Sequence, residues 1–179
     1  MLEIRTMQEQ ALFRAVAAED GEQTAAAVVY SQGAPEDNAA WVVDSMRRLE
    51  DQFDAAAVKR IRMRCQCGYG MEEKLALLKE LMANASSLEE FANQEKAHSA
   101  GMYYQDGGLY LQFFFCPCPM LAQVERLESY AWCQCTTGYS KVLFERAFGC
   151  EVDVELKKSI KAGDEICLMR IIPRGSVRF

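Results

Sequence analysis

The sequence predicts an α+β fold in which helices pack on an antiparallel sheet built from two hairpins. Three patterns lead there: helical spacing of apolar residues in the first part, a hairpin pattern in the middle, and strict alternation near the end. At 179 residues, 50% of them hydrophobic, the chain is long enough for one domain with a sizeable core. The predicted domain covers 1–179, with a helical part over about 1–100 and a hairpin–helix–hairpin part over about 101–179.

Apolar spacing predicts the helices of the first part. An Ala- and Glu-rich start favours a helix over about 6–18, and Pro35 stands where a first helical residue often does. Apolar residues at helical spacing, with charged residues on the other faces, predict an amphipathic helix over 36–57 and another over 71–83. We expect about five helices in the whole chain.

A capping box and a hairpin follow. Ser87 as an N-cap, with Glu90 three residues later, predicts a helix that ends near Gly101. The stretch MYYQDGGLYLQFFF, residues 102–115, predicts a β-hairpin because two β-rich runs flank the turn residues 106–108. We expect the phenylalanines of this hairpin to anchor its second strand in the core.

The last part of the chain predicts one helix and a second hairpin. Thr136 or Thr137 can cap the helix, and Gly149 is suited to end it. From Cys150 onward, apolar side chains alternate with charged ones, which predicts a strand over 150–157. The stretch KAGDE then turns the chain into a final apolar strand, ICLMRII.

Charge and hydropathy exclude several classes of protein. A net charge of −6 argues against binding nucleic acid or an anionic membrane surface. No apolar run approaches the roughly 20 residues that a bilayer span needs, and the start lacks the apolar core of a secretion signal. We therefore expect a cytoplasmic protein, in which eight cysteines are thiols or metal ligands rather than disulfides.

Three Cys-x-Cys pairs are the most unusual motif of the chain. They are Cys65 with Cys67, Cys116 with Cys118, and Cys133 with Cys135. Eight cysteines placed at random in a chain of this length would give fewer than one such pair on average, whereas the sequence has three. Two cysteines separated by one residue can point to the same side of an extended or turning backbone, so that both sulfurs reach one metal ion. All three pairs fall at predicted element ends, where loops can converge.

Residues beside two of the pairs favour metal binding. Pro117 and Pro119 restrict the backbone around the middle pair, which lowers the entropy lost when a metal orders that loop. Cys133 and Cys135 come just before a predicted helix N-terminus, where the helix dipole favours a thiolate over a thiol.

The single histidine of the chain means that such a site would be almost entirely sulfur. Zinc suits four thiolates in a tetrahedron, and an iron–sulfur cluster is the main alternative. The predicted ligands are four cysteines close in sequence, with the remaining pair near them. They are Cys116, Cys118, Cys133 and Cys135, joined by Cys65 and Cys67. Because six cysteines exceed one four-sulfur site, either one pair stands aside or two ions share bridging sulfurs.

Two other interpretations of the pairs stay open: exposed thiols of low pKa in a redox function, and ordinary buried thiols. Cys150 and Cys167 lie in predicted strands, where a core thiol is the default. His98 is expected near a helix C-terminus, where a partly exposed structural residue is favoured over the partner of a catalytic cysteine. The sequence has no phosphate-binding loop and no HExxH or GxSxG motif, so no catalytic residue is assigned.

The segment 132–172 resembles the C-terminal part of 4-vinyl-reductase-type domains and of related cysteine-rich bacterial proteins. The resemblance lies in Gly149, Val152, Val154, Glu155, Ser159, Gly163, Asp164 and Cys167. It implies helices packed on an antiparallel sheet, a fold shared with transport-particle subunits and haem-based nitric-oxide sensors. It also implies small-molecule or metal binding, in which Cys167 could be a ligand after all. The three Cys-x-Cys pairs depart from the usual domain.

We therefore expect a thiolate metal-binding or small-molecule-sensing domain without catalytic activity. Its expected partners are a metal ion or a small molecule, a homodimer is left open, and neither nucleic acid nor membrane is expected. The alternative is a hydrolase for a small sulfur- or nitrogen-containing substrate, resembling aminothiazoline-carboxylate hydrolases. Four sulfur ligands would favour the first function, and three ligands plus water would favour the enzyme. A partner-binding module rests on fold analogy alone.

Overall fold

The computed structural model describes residues 2–30 and 37–179 and confirms the α+β class. Its helices are α1 (Leu2–Asp20), α2 (Glu22–Val29), α3 (Asn38–Gln52), α4 (Ala55–Met63), α5 (Met71–Ala83), α6 (Leu88–Ala92), α7 (Glu95–Ser99) and α8 (Gln134–Phe148). Its strands are β1 (Met102–Gln105), β2 (Gly108–Phe113), β3 (Val152–Lys158) and β4 (Cys167–Pro173). The described residues thus hold eight α-helices, more than expected. Pro35 lies outside these residues.

The strands form one antiparallel sheet in the order β1-β2-β4-β3. The two predicted hairpins are therefore joined through β2 and β4, whose register places Phe113 opposite Cys167. The first hairpin turns at Asp106 and Gly107, which both have positive φ, as a two-residue hairpin turn of type I′ requires. Gly108 already belongs to β2.

The predicted anchoring of the phenylalanines in the core is wrong for two of them. Phe114 is 73% exposed and Phe115 is 65% exposed, because β2 ends at Phe113. Beyond that residue the chain leaves the sheet and runs toward Cys116. The alternation of side chains that would bury every second residue stops with the strand.

The predicted helix 36–57 is divided into α3 and α4. Phe53 has an extended backbone, and the Asp54 side chain accepts a hydrogen bond from the Ala57 amide at 2.8 Å. An aspartate that caps an amide three residues later begins a new helix. The predicted helix 71–83 is confirmed as α5. As expected, Ser87 is the N-cap of α6, and its hydroxyl accepts a hydrogen bond from the Glu90 amide.

The prediction that Thr136 or Thr137 caps α8 is wrong. The helix begins at Gln134 with Cys133 as its N-cap residue, and the Thr137 hydroxyl instead donates to the Gln134 carbonyl at 2.7 Å. The end of the helix is as predicted, since Gly149 follows it in the left-handed conformation.

The buried side chains of the described residues form two cores. The first core lies among α1 to α4 and the segment 120–132, and its largest members include Leu12, Trp41, Leu49, Ile61, Leu121 and Trp132. The second core lies among α5 to α8 and the sheet, and includes Leu78, Phe91, Leu109, Phe144, Phe148 and Ile171. The α8 helix connects them, because its body packs in the second core while its N-terminal cysteines pack on the first.

A close helix crossing fixes the approach of α4 to α8. Gly138 of α8 lies against the Met63 carbonyl oxygen so closely that a Cβ atom would overlap it. Only glycine, which has no Cβ atom, allows two backbones to approach this closely. The crossing brings the residues after α4 next to the start of α8. None of the helices in the described ranges combines the length and the apolar character that a bilayer crossing requires.

Candidate thiolate site

The fold brings the ends of four elements together. Cys65 follows α4, Cys116 and Cys118 follow β2, and Cys133 and Cys135 begin α8. Cys167 is the first residue of β4. Because Cys167 is paired with Phe113, the strand start lies beside the segment that leads to the middle Cys-x-Cys pair.

Four of these thiols form a closed ring of electrostatic neighbours, which we call the four-thiol cluster: Cys116, Cys118, Cys133 and Cys135. Cys116 interacts with Cys118 and with Cys133. Cys135 interacts with Cys133 and with Cys118, which closes the ring. All four are partly buried and pack against the first core. They are the four cysteines chosen first from the sequence.

The two cysteines of the remaining pair, Cys65 and Cys67, lie in different surroundings. Cys65 is fully buried, interacts with Cys135, and donates its thiol hydrogen to the Ile61 carbonyl at 3.4 Å. Cys67 is exposed and interacts electrostatically with the Tyr139 hydroxyl. The structure thus brings Cys65 to the cluster and leaves Cys67 at the surface.

Cys167 is a further neighbour of the cluster. It interacts with Cys116 and Cys133, and its sulfur accepts a hydrogen bond from the Ile160 amide at 3.5 Å. The default assignment of Cys167 as an ordinary core thiol overlooked this position. The resemblance to 4-vinyl-reductase-type domains was the only signal in the sequence that pointed to it.

Polar groups hold the cluster thiols in place. The Trp132 indole N–H donates to the Cys118 sulfur at 3.5 Å, and the Cys133 sulfur lies 3.3 Å from the Ser159 hydroxyl. The Asp164 carboxylate in turn accepts from the Ser159 amide at 2.7 Å and from the Tyr130 hydroxyl at 2.8 Å. Asp164 therefore positions Ser159, whose hydroxyl contacts the Cys133 sulfur.

Burial keeps three of the cluster thiols, Cys116, Cys133 and Cys135, protonated. It raises the pKa of Cys133 to about 12 and that of Cys135 to about 11, and it also raises the pKa of Cys116. As whole residues they keep some solvent contact, but their sulfur atoms pack against the first core, and the surroundings of the sulfur decide the pKa. The expectation that the N-terminus of α8 favours a thiolate is therefore wrong, because burial outweighs the helix dipole. Such thiols are unsuited to a redox function that needs a low pKa.

The described cysteines are free thiols. Within residues 2–30 and 37–179, no three His, Cys, Asp or Glu side chains stand in a metal-ligating arrangement, and the described cysteines form no disulfide. Metal binding would therefore require the sulfurs to move closer together than they stand here.

Two basic residues border the cluster, and the sequence analysis missed both. Arg62, in the last turn of α4, is fully buried and interacts with Cys65 and Cys135. Lys161 interacts electrostatically with Cys116, and its Nζ donates to the Val124 carbonyl at 2.6 Å. Nothing in the spacing of basic residues in KRIRMR distinguishes Arg62 from its exposed neighbours.

The other candidates lie away from the cluster. Cys150 packs against the second core, as expected of a core thiol. His98 is exposed in α7, which packs against β1, consistent with a structural residue near a helix end. No described contact joins His98 to a cysteine as a catalytic pair would require.

The comparisons with known proteins add one finding. Searches of curated proteins and of solved structures found no significant match. One family, described as a family of unknown function (DUF6144), matches residues 1–178. Because this match covers nearly the whole chain, the protein belongs to that family.

Proposed function

We propose that the protein is a thiolate metal-binding domain, with zinc held by Cys116, Cys118, Cys133 and Cys135. The observation that carries the proposal is that these four thiols pack against the same core and act on one another electrostatically in a closed ring. Two chain segments that are separated by a loop supply two sulfurs each, which is the usual composition of a structural zinc site. An iron–sulfur cluster is the competing occupant.

The raised pKa values of Cys116, Cys133 and Cys135 fit this function. Buried thiols without a compensating charge stay protonated, whereas a divalent cation stabilises the thiolates and releases their protons. The four cysteines stand at element ends, and rotation about their side-chain bonds is the smallest movement that could bring the sulfurs toward one ion. We place the protein in the cytoplasm, whose reducing conditions would keep these thiols available for metal.

The proposed site is structural or sensory rather than catalytic. A catalytic zinc keeps one position for water, and its protein ligands are commonly histidines or carboxylates beside a general base. The Asp164 carboxylate, which binds the Ser159 amide beside Cys133, already accepts two hydrogen bonds. A hydrolase for a small sulfur- or nitrogen-containing substrate would instead show three sulfur ligands and one exchangeable water.

Metal analysis of the purified protein tests the proposal. The protein is prepared under reducing, chelator-free conditions with zinc or iron in the medium, and bound metal is measured by mass spectrometry. We expect one zinc ion per chain, lost in Cys118→Ser and Cys135→Ser. The matched control is Cys150→Ser, a cysteine that packs on the second core and should leave the zinc content unchanged. Absence of both metals from the wild-type protein would overturn the proposal.

A further inference from the structure

A cavity of about 400 Å³ lies where β4 ends, at the far end of this strand from the four-thiol cluster. Its walls come from the turn before β2, the first residues of β2, residues 170–173 of β4, the start of α6 and the segment that follows β4. Cys167 begins β4, and at the rise of a strand the other end of β4 is about 20 Å away. The cavity is therefore separate from the proposed metal site.

The cavity has an apolar wall. The apolar residues that line it are Leu88, Leu109, Ile171, Ile172, Pro173, Val177 and Phe179. Several of them keep solvent contact, and Phe179 is 42% exposed. A concave surface that leaves apolar side chains in water suits a small ligand with an apolar body.

Backbone hydrogen bonds hold the segment that forms one side of the cavity. The Arg174 amide donates to the Glu151 carbonyl at 2.8 Å. The Arg178 amide donates to the Phe148 carbonyl at 3.1 Å. Between these two bonds, Val177 packs against the second core. The wall after β4 is thus a fixed part of the fold.

Arg170 is the only charged side chain among the described residues that line the cavity. Its Nε is buried and, in the part of the chain that the structure describes, has no hydrogen-bond partner. Tyr110 and Glu155 are its neighbours on the adjacent strands, and the Glu155 carboxylate is already bound by Lys157 at 2.7 Å. A buried donor without an acceptor is costly, and a carboxylate is the acceptor that matches a guanidinium best, because it can take two parallel hydrogen bonds.

We propose that this cavity binds a compact carboxylate with an apolar body. Arg170 binds the carboxylate, and the apolar wall covers the body. The volume fits such a ligand, since 400 Å³ holds roughly a dozen non-hydrogen atoms if each takes about the 30 Å³ of a water molecule. The inference does not rest on the proposed metal site.

A titration with three small probes, followed in amide proton–nitrogen NMR spectra of the full chain near neutral pH, tests the inference. Cyclohexanecarboxylate has both the charge and the apolar body, cyclohexanecarboxamide has the same shape without the charge, and acetate has the charge without the body. We expect cyclohexanecarboxylate to shift the amides of Gly108, Leu109 and Gly175 saturably. The other two probes should bind about 10-fold more weakly or less, because each lacks one of the two interactions.

Variants of the cavity separate the two interactions. Arg170→Met should weaken binding of cyclohexanecarboxylate about 10-fold or more, whereas Arg170→Lys keeps the charge and should stay within a few-fold of the wild type. Phe179→Ala removes part of the apolar wall and should weaken binding by a few-fold. Lys79→Met is the control, because it removes an exposed cation of α5 that does not line the cavity and should leave binding unchanged. If the spectrum of Arg170→Met shows that it does not fold, Phe179→Ala and the uncharged probe carry the test.

The outcomes that would overturn the inference are distinct. The absence of a saturable shift at the cavity amides, or shifts confined to residues 116–135, would overturn the binding site. Equal affinities for cyclohexanecarboxylate and its amide, or for wild type and a folded Arg170→Met, would overturn the carboxylate as the ligand class. A protein that contains no metal but binds cyclohexanecarboxylate in the cavity would overturn the proposed function and support this inference.

Discussion

Asp164 connects three segments beside the four-thiol cluster. Its carboxylate accepts from the Ser159 amide and the Tyr130 hydroxyl, and Ser159 contacts the Cys133 sulfur. These two donors lower the pKa of Asp164, the Ser159 amide most strongly, because they stabilise the charged form. The carboxylate is therefore a structural acceptor and is expected to stay ionised throughout the neutral range.

Replacing Asp164 with Asn should lower the stability at neutral pH, and this deficit should shrink in acid. A carboxylate with a lowered pKa in the folded protein contributes stability above its unfolded pKa of about 3.9. That contribution is lost as the pH falls through the lower, folded value. The measurement is the free energy of unfolding in urea, near neutral pH and at several values below about 4. Asp51→Asn, at an exposed position of α3, is the control, and a deficit in Asp164→Asn that is independent of pH would contradict the assignment.

At the scale of single residues, the gathering of cysteines could be predicted from their spacing in the sequence. The burial of Arg62 could not. Pairs of cysteines at i and i+2 are visible in the sequence, and four of the six predicted ligands do form the ring. Whether one arginine among several in KRIRMR is buried depends on which face of α4 meets α8. The exposure of Cys67 has the same origin, since it follows from the direction of the chain after the last turn of α4.

Asp54 marks the start of a helix inside a continuous helical pattern. The apolar spacing of 36–57 does not reveal the boundary, because the extended residue Phe53 interrupts the helix without interrupting the pattern. Replacing Asp54 with Ala removes the cap on the Ala57 amide and should lower the free energy of unfolding by about 1 kcal/mol. Asp54→Asn keeps an acceptor and should cost only a few tenths of this. Equal losses in the two variants, measured by urea unfolding, would argue against the cap.

Gly138 controls the distance between α4 and α8. A methyl group at this position would overlap the Met63 carbonyl, which is backbone and cannot rotate away. Gly138→Ala should therefore lower the free energy of unfolding by roughly 1–3 kcal/mol or more, and weaken zinc binding, because the helices must separate. Gly175→Ala is the matched control, since its methyl group would meet only the Cys150 Cβ at an ordinary 3.4 Å. Similar unfolding midpoints for the two variants would show that the crossing is not as tight as described.

The element boundaries show which parts of the fold local signals determine. The helix 71–83, the end of α8 at Gly149 and the first hairpin were predictable because capping and turn residues stand in sequence at those points. The start of α8 was missed because Cys133 provides no side-chain cap, so that no local signal marks it. The pairing of β2 with β4, which brings Cys167 to the site, is non-local and has no signature in either strand.

At the scale of the whole molecule, the four-thiol cluster lies where the two cores meet. Its thiols pack on the first core, while two of them belong to α8, whose body packs in the second. The edge-to-face contact of Trp41 with Trp132, at 5.8 Å between ring centroids, is a further link from α3 to the segment before α8. A metal ion there would join the end of β2 to the start of α8 and so hold the first core against the sheet.

Metal removal should therefore loosen the first core more than the second. A ligand that binds only the folded state stabilises it by about 2.7 kcal/mol at 100 times its dissociation constant. We expect this stabilisation to act mainly on α3, α4 and the segment 116–133, because those parts pack directly around the thiols. The measurement is hydrogen exchange of the zinc-loaded protein with and without a chelator, resolved along the chain. Amides of these parts should lose protection, while those of β3 and β4 should change little.

Two variants separate the effect of the metal from that of the chelator. Cys118→Ser should show the exchange pattern of the metal-free protein without any chelator, because it lacks one thiol of the cluster. Cys150→Ser should respond to the chelator as the wild type does, because this thiol packs on the second core. Equal loss of protection in both cores would mean that the ion stabilises the molecule as one unit. This result would contradict a metal site that stabilises mainly the first core. Such a site predicts that the sheet keeps its protection when the metal leaves.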